Sequence, residues 1–255
     1  MRFRMTGLAG VVAIAALLAV ASPASAAPGD ASAYGAKADV TLLGSPAINV
    51  GPFAPANVNG PQTQNTTIGV NVPGVLQTGA ITTFTSRDDN SGAVYSRAST
   101  ADLASGLLAP ATGNISAGAV VAECSATQQG VVGTTTLTNV NLGSLGQVGA
   151  TPAPNTKLDV RLLGIKIGEV TFNEQIQNGD GSLTVNAVHI RLLPGVLGSL
   201  GSGDVYISSA TCGPAALPIP MASGAGLWIG LGLLGAVAVP VAFVVLRRRT
   251  SLSAA

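Results

Sequence analysis

The sequence predicts an all-β exported domain, an antiparallel β-sandwich or a partly closed barrel, followed by one C-terminal transmembrane helix. Between Lys37 and Ala210 the chain forms about ten short stretches rich in Val, Ile and Thr, separated by Gly, Pro, Asn and Asp. None of them spaces its apolar residues as a soluble amphipathic helix does. Gly224 to Leu246 carries no charge, and Arg247, Arg248 and Arg249 follow directly. Together these observations indicate a β-rich domain tethered to a membrane.

The first 26 residues have the layout of a secretory signal peptide. Arg2 and Arg4 form a positive start, an apolar run extends over 8–20, and Ala24-Ser25-Ala26 is a typical A-x-A cleavage site. We predict cleavage after Ala26 and export of the mature chain. The next segment, 27–36, is small and polar and is predicted to be a flexible N-terminus.

The β-rich exported domain is predicted over 37–213. Gly44 to Thr66 contains four prolines, so it is interpreted as a long loop or an extended edge strand. The segments 88–92 and 178–181 have turn composition and are predicted to close β-hairpins. The predicted strands are 37–43, 67–72, 79–86, 92–101, 115–126, 132–140, 156–163, 165–177, 182–193 and 203–210.

Charge excludes one class of partner. The exported region carries seven Lys and Arg and all eleven acidic residues of the chain, a net charge of −4. A nucleic-acid partner would require a basic face, so none is predicted.

The two cysteines, Cys124 and Cys212, both lie in the exported region. Because disulfides persist in oxidising compartments, a single bridge between them is predicted. It would tie the last strand to the middle of the domain, and loop-closure entropy gives it on the order of 4 to 5 kcal/mol.

The tail is predicted to be the anchor. A Pro-rich stalk over 214–223 leads into a transmembrane helix over 224–246, whose 23 residues would be roughly 35 Å long and span the hydrocarbon core. Trp228 suits the outer interface, and Arg247 to Arg249 favour a short cytoplasmic tail over 247–255. This topology places the domain outside a plasma membrane.

A second interpretation of the tail is a sortase signal, which would link the protein to the cell wall. The layout fits, because a Leu-Pro pair, an apolar span and arginines follow one another. However, the run Leu217-Pro218-Ile219-Pro220-Met221 lacks the Thr that a sortase attacks in LPxTG. Retention in the membrane is therefore favoured.

No residue pattern predicts a catalytic centre, a metal site or a cofactor. His189 is the only histidine, so the chain lacks the several histidine ligands that a histidine-based metal site needs. Oxygen-rich turns at 88–90 and 178–180 could hold Ca²⁺, but hairpin turns use the same residues. Glu169, Glu174 and Asp159 could supply a glycosidase carboxylate pair, whose spacing in three dimensions the sequence does not fix.

One predicted hairpin gathers the ligand candidates. It contains Asn173, Glu174, Gln175, Asn186 and His189. If these polar side chains share a face, they form either a buried hydrogen-bond network or a ligand site, and the network is the favoured interpretation.

Several runs in the exported region are similar to the choice-of-anchor P proteins of actinobacteria, which are exported proteins whose members end in different surface anchors. The resemblance implies a surface-anchored protein, and it implies no activity. The runs are Ser32-Ala33-Tyr34-Gly35, Pro154-Asn155-Thr156, Phe172-Asn173-Glu174-Gln175, Leu183-Thr184-Val185-Asn186-Ala187-Val188-His189 and Gly203-Asp204-Val205-Tyr206-Ile207-Ser208-Ser209-Ala210-Thr211-Cys212.

Three functional hypotheses follow. The first is a membrane-anchored envelope protein with a structural or adhesive role and no catalysis, whose partner is an envelope polymer or another surface molecule. The second is a surface module that binds a small ligand, a glycan or Ca²⁺ at the polar hairpin. The third is an envelope hydrolase that depends on His189 or Glu174.

Overall fold

The computed structural model describes residues 28–44, 46–195 and 200–216, which fold into two antiparallel β-sheets packed face to face. The all-β prediction is confirmed. The strands are β1 (Ala31–Leu42), β2 (Ala47–Phe53), β3 (Ala56–Asn57), β4 (Gln64–Ile68), β5 (Asn71–Val72), β6 (Leu76–Gln77), β7 (Ala80–Arg87), β8 (Val94–Ser105), β9 (Ile115–Thr127), β10 (Gly130–Thr138), β11 (Thr156–Leu162), β12 (Ile165–Gln177), β13 (Leu183–Leu192) and β14 (Gly201–Cys212).

Sheet A has the strand order β11-β12-β13-β14-β1-β2, and the short β3 also pairs with β1. The first and last strands of the domain, β1 and β14, are therefore neighbours in the middle of this sheet. Their pairing runs from Ala31 opposite Cys212 to Leu42 opposite Gly201.

Sheet B has β8 at its centre. β9 pairs with β8 along one side and carries β10 at the edge. On its other side, β8 pairs first with β7 and then with β6, which bring in β4 and β5. Both predicted hairpins are confirmed, since Arg87 pairs with Val94 across 88–92 and Gln177 pairs with Leu183 across 178–181.

The N-terminal part of the strand prediction was wrong. Residues 31–36 were predicted to be flexible, yet they form the first half of β1. Their small side chains reflect close packing, because a Cβ added at Gly35 would lie 1.9 Å from Ile81 Cγ2 of sheet B. The segment 44–66 does contain an extended edge strand, β2, whereas the short strands β3 and β4 within it were not predicted.

The core lies between the sheets and is built mainly from Val, Ile, Leu and Ala, as the scarcity of aromatic residues requires. Phe172 is the largest fully buried side chain described. A single helical turn, α1 (Ala109–Thr112), and a 3-10 turn (Gly143–Leu145) are the helical elements of the described residues.

The predicted disulfide is confirmed. Cys124 of β9 and Cys212 at the end of β14 are bonded, with Cα atoms 5.6 Å apart, and both are fully buried. The bond joins sheet B to sheet A, so it fastens the two layers of the sandwich to each other.

The two ends of the described domain lie side by side. Gly29 N donates to Pro214 O at 2.8 Å, and Gly213 N donates to Asp30 O at 2.7 Å. Ala216 N in turn donates to Gly92 O at 2.9 Å. The stalk prediction is therefore corrected at its start, because 214–216 is hydrogen-bonded to the domain.

The predicted signal peptide with Ala26, the span 224–246 with Trp228, and Arg247 to Arg249 all lie outside the described residues. Within the part of the chain that the structure describes, no helix is long and apolar enough to cross a membrane.

Candidate functional site

A row of interrupted pairing crosses four strands of sheet A and determines which side chains meet. Phe172 pairs with Val188, and the next pair is Glu174 with Asn186, so the register skips Asn173. The same gap continues through β14 and β1. The skipped positions of the four strands are Asn173, Ala187, Ser208 and Gly35.

At this row the alternation of side chains reverses. Asn173 and Ser208 adopt left-handed backbone conformations, with φ of 49° and 53°. Both direct their side chains to sheet B, since Thr135 Oγ1 donates to Asn173 Oδ1 at 3.3 Å and Ser208 Oγ donates to the Val120 carbonyl at 2.8 Å. Outward-facing residues on either side of the row are then three positions apart instead of two.

His189 lies at the centre of the outward-facing cluster that results. Its neighbours Val188 and Ile190 point into the core, and its own side chain is only 4% exposed. Nδ1 lies 2.9 Å from Glu174 Oε1, and Nε2 lies 2.7 Å from Asp204 Oδ1. The ring stacks on Tyr206 of β14 with centroids 4.3 Å apart.

The contacts fix the charge of this histidine. An ionised carboxylate only accepts hydrogen bonds, so an imidazole bonded to two of them must donate from both nitrogens. Burial opposes the charged ring, but the bonds to Glu174 and Asp204 outweigh it and raise the pKa of His189. For the two carboxyls burial acts the other way, and the same bonds lower the pKa values of Glu174 and Asp204.

Asn186 and Arg191 complete the cluster on β13. Asn186 Nδ2 donates to Glu174 Oε2 at 2.7 Å, and Arg191 Nε donates to Asp204 Oδ1 at 3.0 Å. Both acids are therefore held by two donors each. The buried Asn186 Oδ1 is an unsatisfied acceptor, with no hydrogen-bond partner among the described residues.

The structure brings together three of the five predicted site residues, Glu174, Asn186 and His189. The other two face the opposite sheet. Asn173 donates from Nδ2 to the Pro152 carbonyl at 2.9 Å, and Gln175 donates from Nε2 to the Gly133 carbonyl at 2.8 Å. Ordinary strand alternation already separates Glu174 from both of its neighbours. The reversal at Asn173 turns Glu174 outward, and it places Asn186 and His189, three positions apart, on the same face.

Sequence reasoning missed the partners that β14 supplies. Asp204 and Tyr206 pair in register with Arg191 and His189. The order of strands in a sheet is a long-range property, so no local pattern around His189 points to them. Their alternating placement in the Gly203–Ser208 run was the one available signal.

The geometry leaves this cluster no free catalytic nitrogen. A general base needs a ring nitrogen within hydrogen-bond reach of the proton that it removes, and both nitrogens of His189 are held by carboxylates. Glu169 and Asp159, the other acids considered, are also paired, because Lys166 Nζ lies 2.7 Å from Glu169 Oε2 and 2.6 Å from Asp159 Oδ1.

The oxygen-rich turns use their carboxylates locally. Asp88 accepts from Asn90 N at 2.9 Å and from Ser91 Oγ at 2.7 Å. Asp180 Oδ1 accepts from Ser182 N at 2.9 Å. Across the described residues no group of three or more His, Cys, Asp and Glu could hold a metal ion.

Comparison with protein-family models, with curated proteins and with solved structures finds no match to this chain.

Proposed function

We propose that this chain is an exported, membrane-anchored envelope protein of structural or adhesive role that works without catalysis. In this proposal the span 224–246 is the anchor, the domain faces outward, and the resemblance to choice-of-anchor P proteins describes its architecture. Its partner is an envelope polymer or another surface molecule.

The observation that carries the proposal is the buried disulfide between Cys124 and Cys212. Such bonds form and persist in oxidising compartments, which agrees with the predicted signal peptide. The bond joins the two sheets at the end of β14, from which the chain continues toward the predicted span. A cross-link at this point suits a domain that is held by its C-terminal end.

The closed polar cluster supports a structural role over a hydrolytic one. Its central histidine is charged and bonded on both sides, and the two acids each receive two hydrogen bonds. A network of this kind joins β12, β13 and β14 through their side chains, in addition to the backbone ladder.

The test is extraction of the native protein from cell envelopes, combined with protease treatment of intact cells. Detergent alone should release a full-length chain that still carries Arg247 to Arg249, and external protease should remove the domain. A cytoplasmic protein serves as the leakage control. Release only after peptidoglycan digestion, as fragments without those arginines, would favour the sortase interpretation of the anchor.

A different outcome would reject the proposal as a whole. A chain found in the soluble cytoplasmic fraction, protected from external protease and with both thiols free, is neither exported nor anchored. Hydrolysis of peptidoglycan by the purified chain, lost in His189→Ala and Glu174→Ala variants, would instead support the hydrolase hypothesis.

A further inference from the structure

The turns at the two ends of the sandwich differ in chemistry. At the end where the described chain starts and stops, the hairpin turns consist of polar residues and glycine: 88–92, 128–129 and 178–181. At the other end, two hairpins of sheet A turn at Leu43-Gly44 and at Leu163-Gly164. The 12 residues of β1 connect the two ends, so they lie about 37 Å apart. Polar turns are ordinary in a soluble domain, whereas leucine turns require an explanation.

The register of sheet A brings the leucine turns to the same end. One row of paired residues crosses β12, β13, β14 and β1, and it consists of Gly168, Leu192, Gly203 and Val40. Leu163 and Leu43 both lie beyond this row, away from the two termini of the domain. Between them, Leu193 N donates to Ile167 O at 3.0 Å, and Leu200 O accepts from Leu43 N at 3.2 Å. We call this part of the molecule the leucine end, and its members are Leu43, Leu163, Ile165, Leu193 and Leu200.

Leu163 stands clear of the domain in a backbone conformation that leucine rarely adopts. It is 95% exposed, and its φ is 50°. Gly164 follows with φ of 83°, so both residues of this two-residue turn are left-handed. Such a turn normally selects Asn-Gly or Asp-Gly. A leucine here is unfavourable for the backbone and gains no packing, so the stability of the fold does not explain it.

Leu43 repeats this arrangement at the opposite edge of sheet A. It is 74% exposed and precedes Gly44, whose φ is 74°. A Cβ added at Gly44 or at Gly164 would meet nothing within 4 Å, so both turns border open space. The two hairpins are four strand spacings apart in the sheet, roughly 19 Å. Two separate turns therefore each present one leucine to the surroundings.

The charged residues of the β11–β12 hairpin follow a definite order behind its leucine. Arg161 and Lys166 face each other as the first charged pair, and Arg161 Nη1 donates to the Gly164 carbonyl at 3.2 Å. Asp159 and Glu169 form the pair behind them. Lys166 Nζ lies 2.6 Å from Asp159 Oδ1 and 2.7 Å from Glu169 Oε2. The hairpin therefore presents a leucine first, two cations next and two acids last.

This order matches the layers of an anionic lipid surface. An apolar side chain at the tip reaches the acyl region, cations just behind it meet the phosphates, and acids farther back stay in water. Arg161 is exposed and keeps guanidinium donors for a phosphate. The segment 157–169 has a net charge of +1, although the exported region as a whole carries −4. A fluid lipid layer also accepts two leucines on separate turns without a matching pocket.

We infer that the leucine end is a contact surface for an anionic lipid layer, into which Leu43 and Leu163 insert while Arg161 and Lys166 meet the headgroup phosphates. The layer is a second one, opposite the membrane that holds the predicted anchor, because the leucine end is farthest from the point at which the described chain stops. The inference rests on the proposed function, and it deepens the adhesive role by naming the partner.

Co-flotation tests this contact. The full-length chain is reconstituted in phosphatidylcholine nanodiscs and mixed with protein-free vesicles of phosphatidylcholine containing about 30% phosphatidylglycerol, an anionic lipid. Nanodiscs leave the domain accessible whichever way the chain inserts. We expect wild-type nanodiscs to float with the vesicles, and the double variant Leu43→Asn, Leu163→Asn to lower the bound fraction about tenfold. Vesicles of phosphatidylcholine alone should bind the wild-type chain more weakly, because the cations lose their phosphate partners of net negative charge.

Two controls separate lipid contact from folding and from general hydrophobicity. Asparagine tolerates the left-handed conformation, so Leu163→Asn should leave the Tm unchanged or higher. The double variant Ile68→Thr, Val132→Thr removes two comparably exposed apolar side chains from sheet B and should float like the wild-type chain.

Equal flotation of the wild-type chain and the leucine double variant overturns the inference, and so does the absence of wild-type flotation. Self-association of the nanodiscs without vesicle binding also overturns it, and would assign the leucine end to contact with a second copy of the chain. Failure of the chain to enter nanodiscs would reject the anchor of the proposed function alone. The same comparison of variants, made with the free chain and the same vesicles, would then measure the lipid contact.

Discussion

The two outer faces of the sandwich use their polar side chains in opposite ways. On sheet A, His189 is 4% exposed and bonded to two carboxylates. On sheet B, Arg97 is 49% exposed and its ion pair with Glu123 is 3.5 Å long. Both cations face an acid on a neighbouring strand, yet one pair is closed off from water and the other is open to it.

The difference indicates which polar groups stabilise the fold and which remain free to contact a ligand or partner. A cluster that satisfies its own donors and acceptors has little to offer a ligand, and its hydrogen bonds are strengthened by burial. A loose, hydrated pair adds little stability and can exchange water for a ligand at small cost. The predicted site residues Glu174, Asn186 and His189 therefore belong to the outer face of sheet A, where they stabilise the fold.

The largest effect is expected from removal of the disulfide that joins sheet A to sheet B. The double variant Cys124→Ala, Cys212→Ala should lower the free energy of unfolding by about 4 kcal/mol, because the 88-residue separation is no longer closed in the unfolded chain. Urea denaturation of the purified chain measures this value. A loss below about 1 kcal/mol would show that the sheets are held by packing alone.

The next effect compares the faces directly. His189→Gln should cost about 3 kcal/mol, because the mostly buried Glu174 loses its cation and Asp204 keeps only Arg191. Arg97→Gln, the matched change on sheet B, should change stability by less than about 0.5 kcal/mol. Both follow from urea denaturation at pH 6, and equal losses would contradict the distinction between the two faces.

The smallest expected effect is the pH dependence that the His189 cluster of sheet A contributes near neutrality. The raised pKa of His189 gives stability that is complete below the ordinary histidine value near 6.5 and is lost as pH rises through the folded-state pKa. The lowered pKa values of Glu174 and Asp204 give stability that is present above about pH 4 and is lost as pH falls.

Stability should therefore be greatest between about pH 4.5 and 6.5 and decline on the alkaline side. His189 is the only histidine of the chain, so His189→Gln should remove that alkaline decline. Thermal unfolding at closely spaced pH values follows both limbs, and an unchanged alkaline limb in the variant would assign it to another group.

Local patterns predicted the parts of this fold that depend on local chemistry. The turns at 88–92 and 178–181, the edge position of the proline-containing strand and the pairing of Cys124 with Cys212 all came from residue type and spacing. The first half of β1 was missed because Ala, Ser and Gly in that run resemble a flexible segment, while they are small in order to fit beneath sheet B.

The site depended on features with no local signal. The reversal at Asn173 and Ser208 decides which polar residues face outward, and it requires four strands to skip one pair in the same row. Asp204 reaches its place beside Arg191 only through strand order. Sequence reasoning therefore found half of the polar cluster, without Arg191, Asp204 and Tyr206.

The disulfide also determines how the domain would carry mechanical load. β14 ends at Cys212, the chain stays hydrogen-bonded to the domain through Ala216, and Cys124 belongs to β9, beside the central strand of sheet B. Tension between a C-terminal membrane anchor and a surface partner in contact with sheet B would pass from Cys212 through the covalent bond into β9. The hydrogen bonds of β14 would then carry less of the load, and the sandwich would give way at its contact with the partner before its two sheets separate.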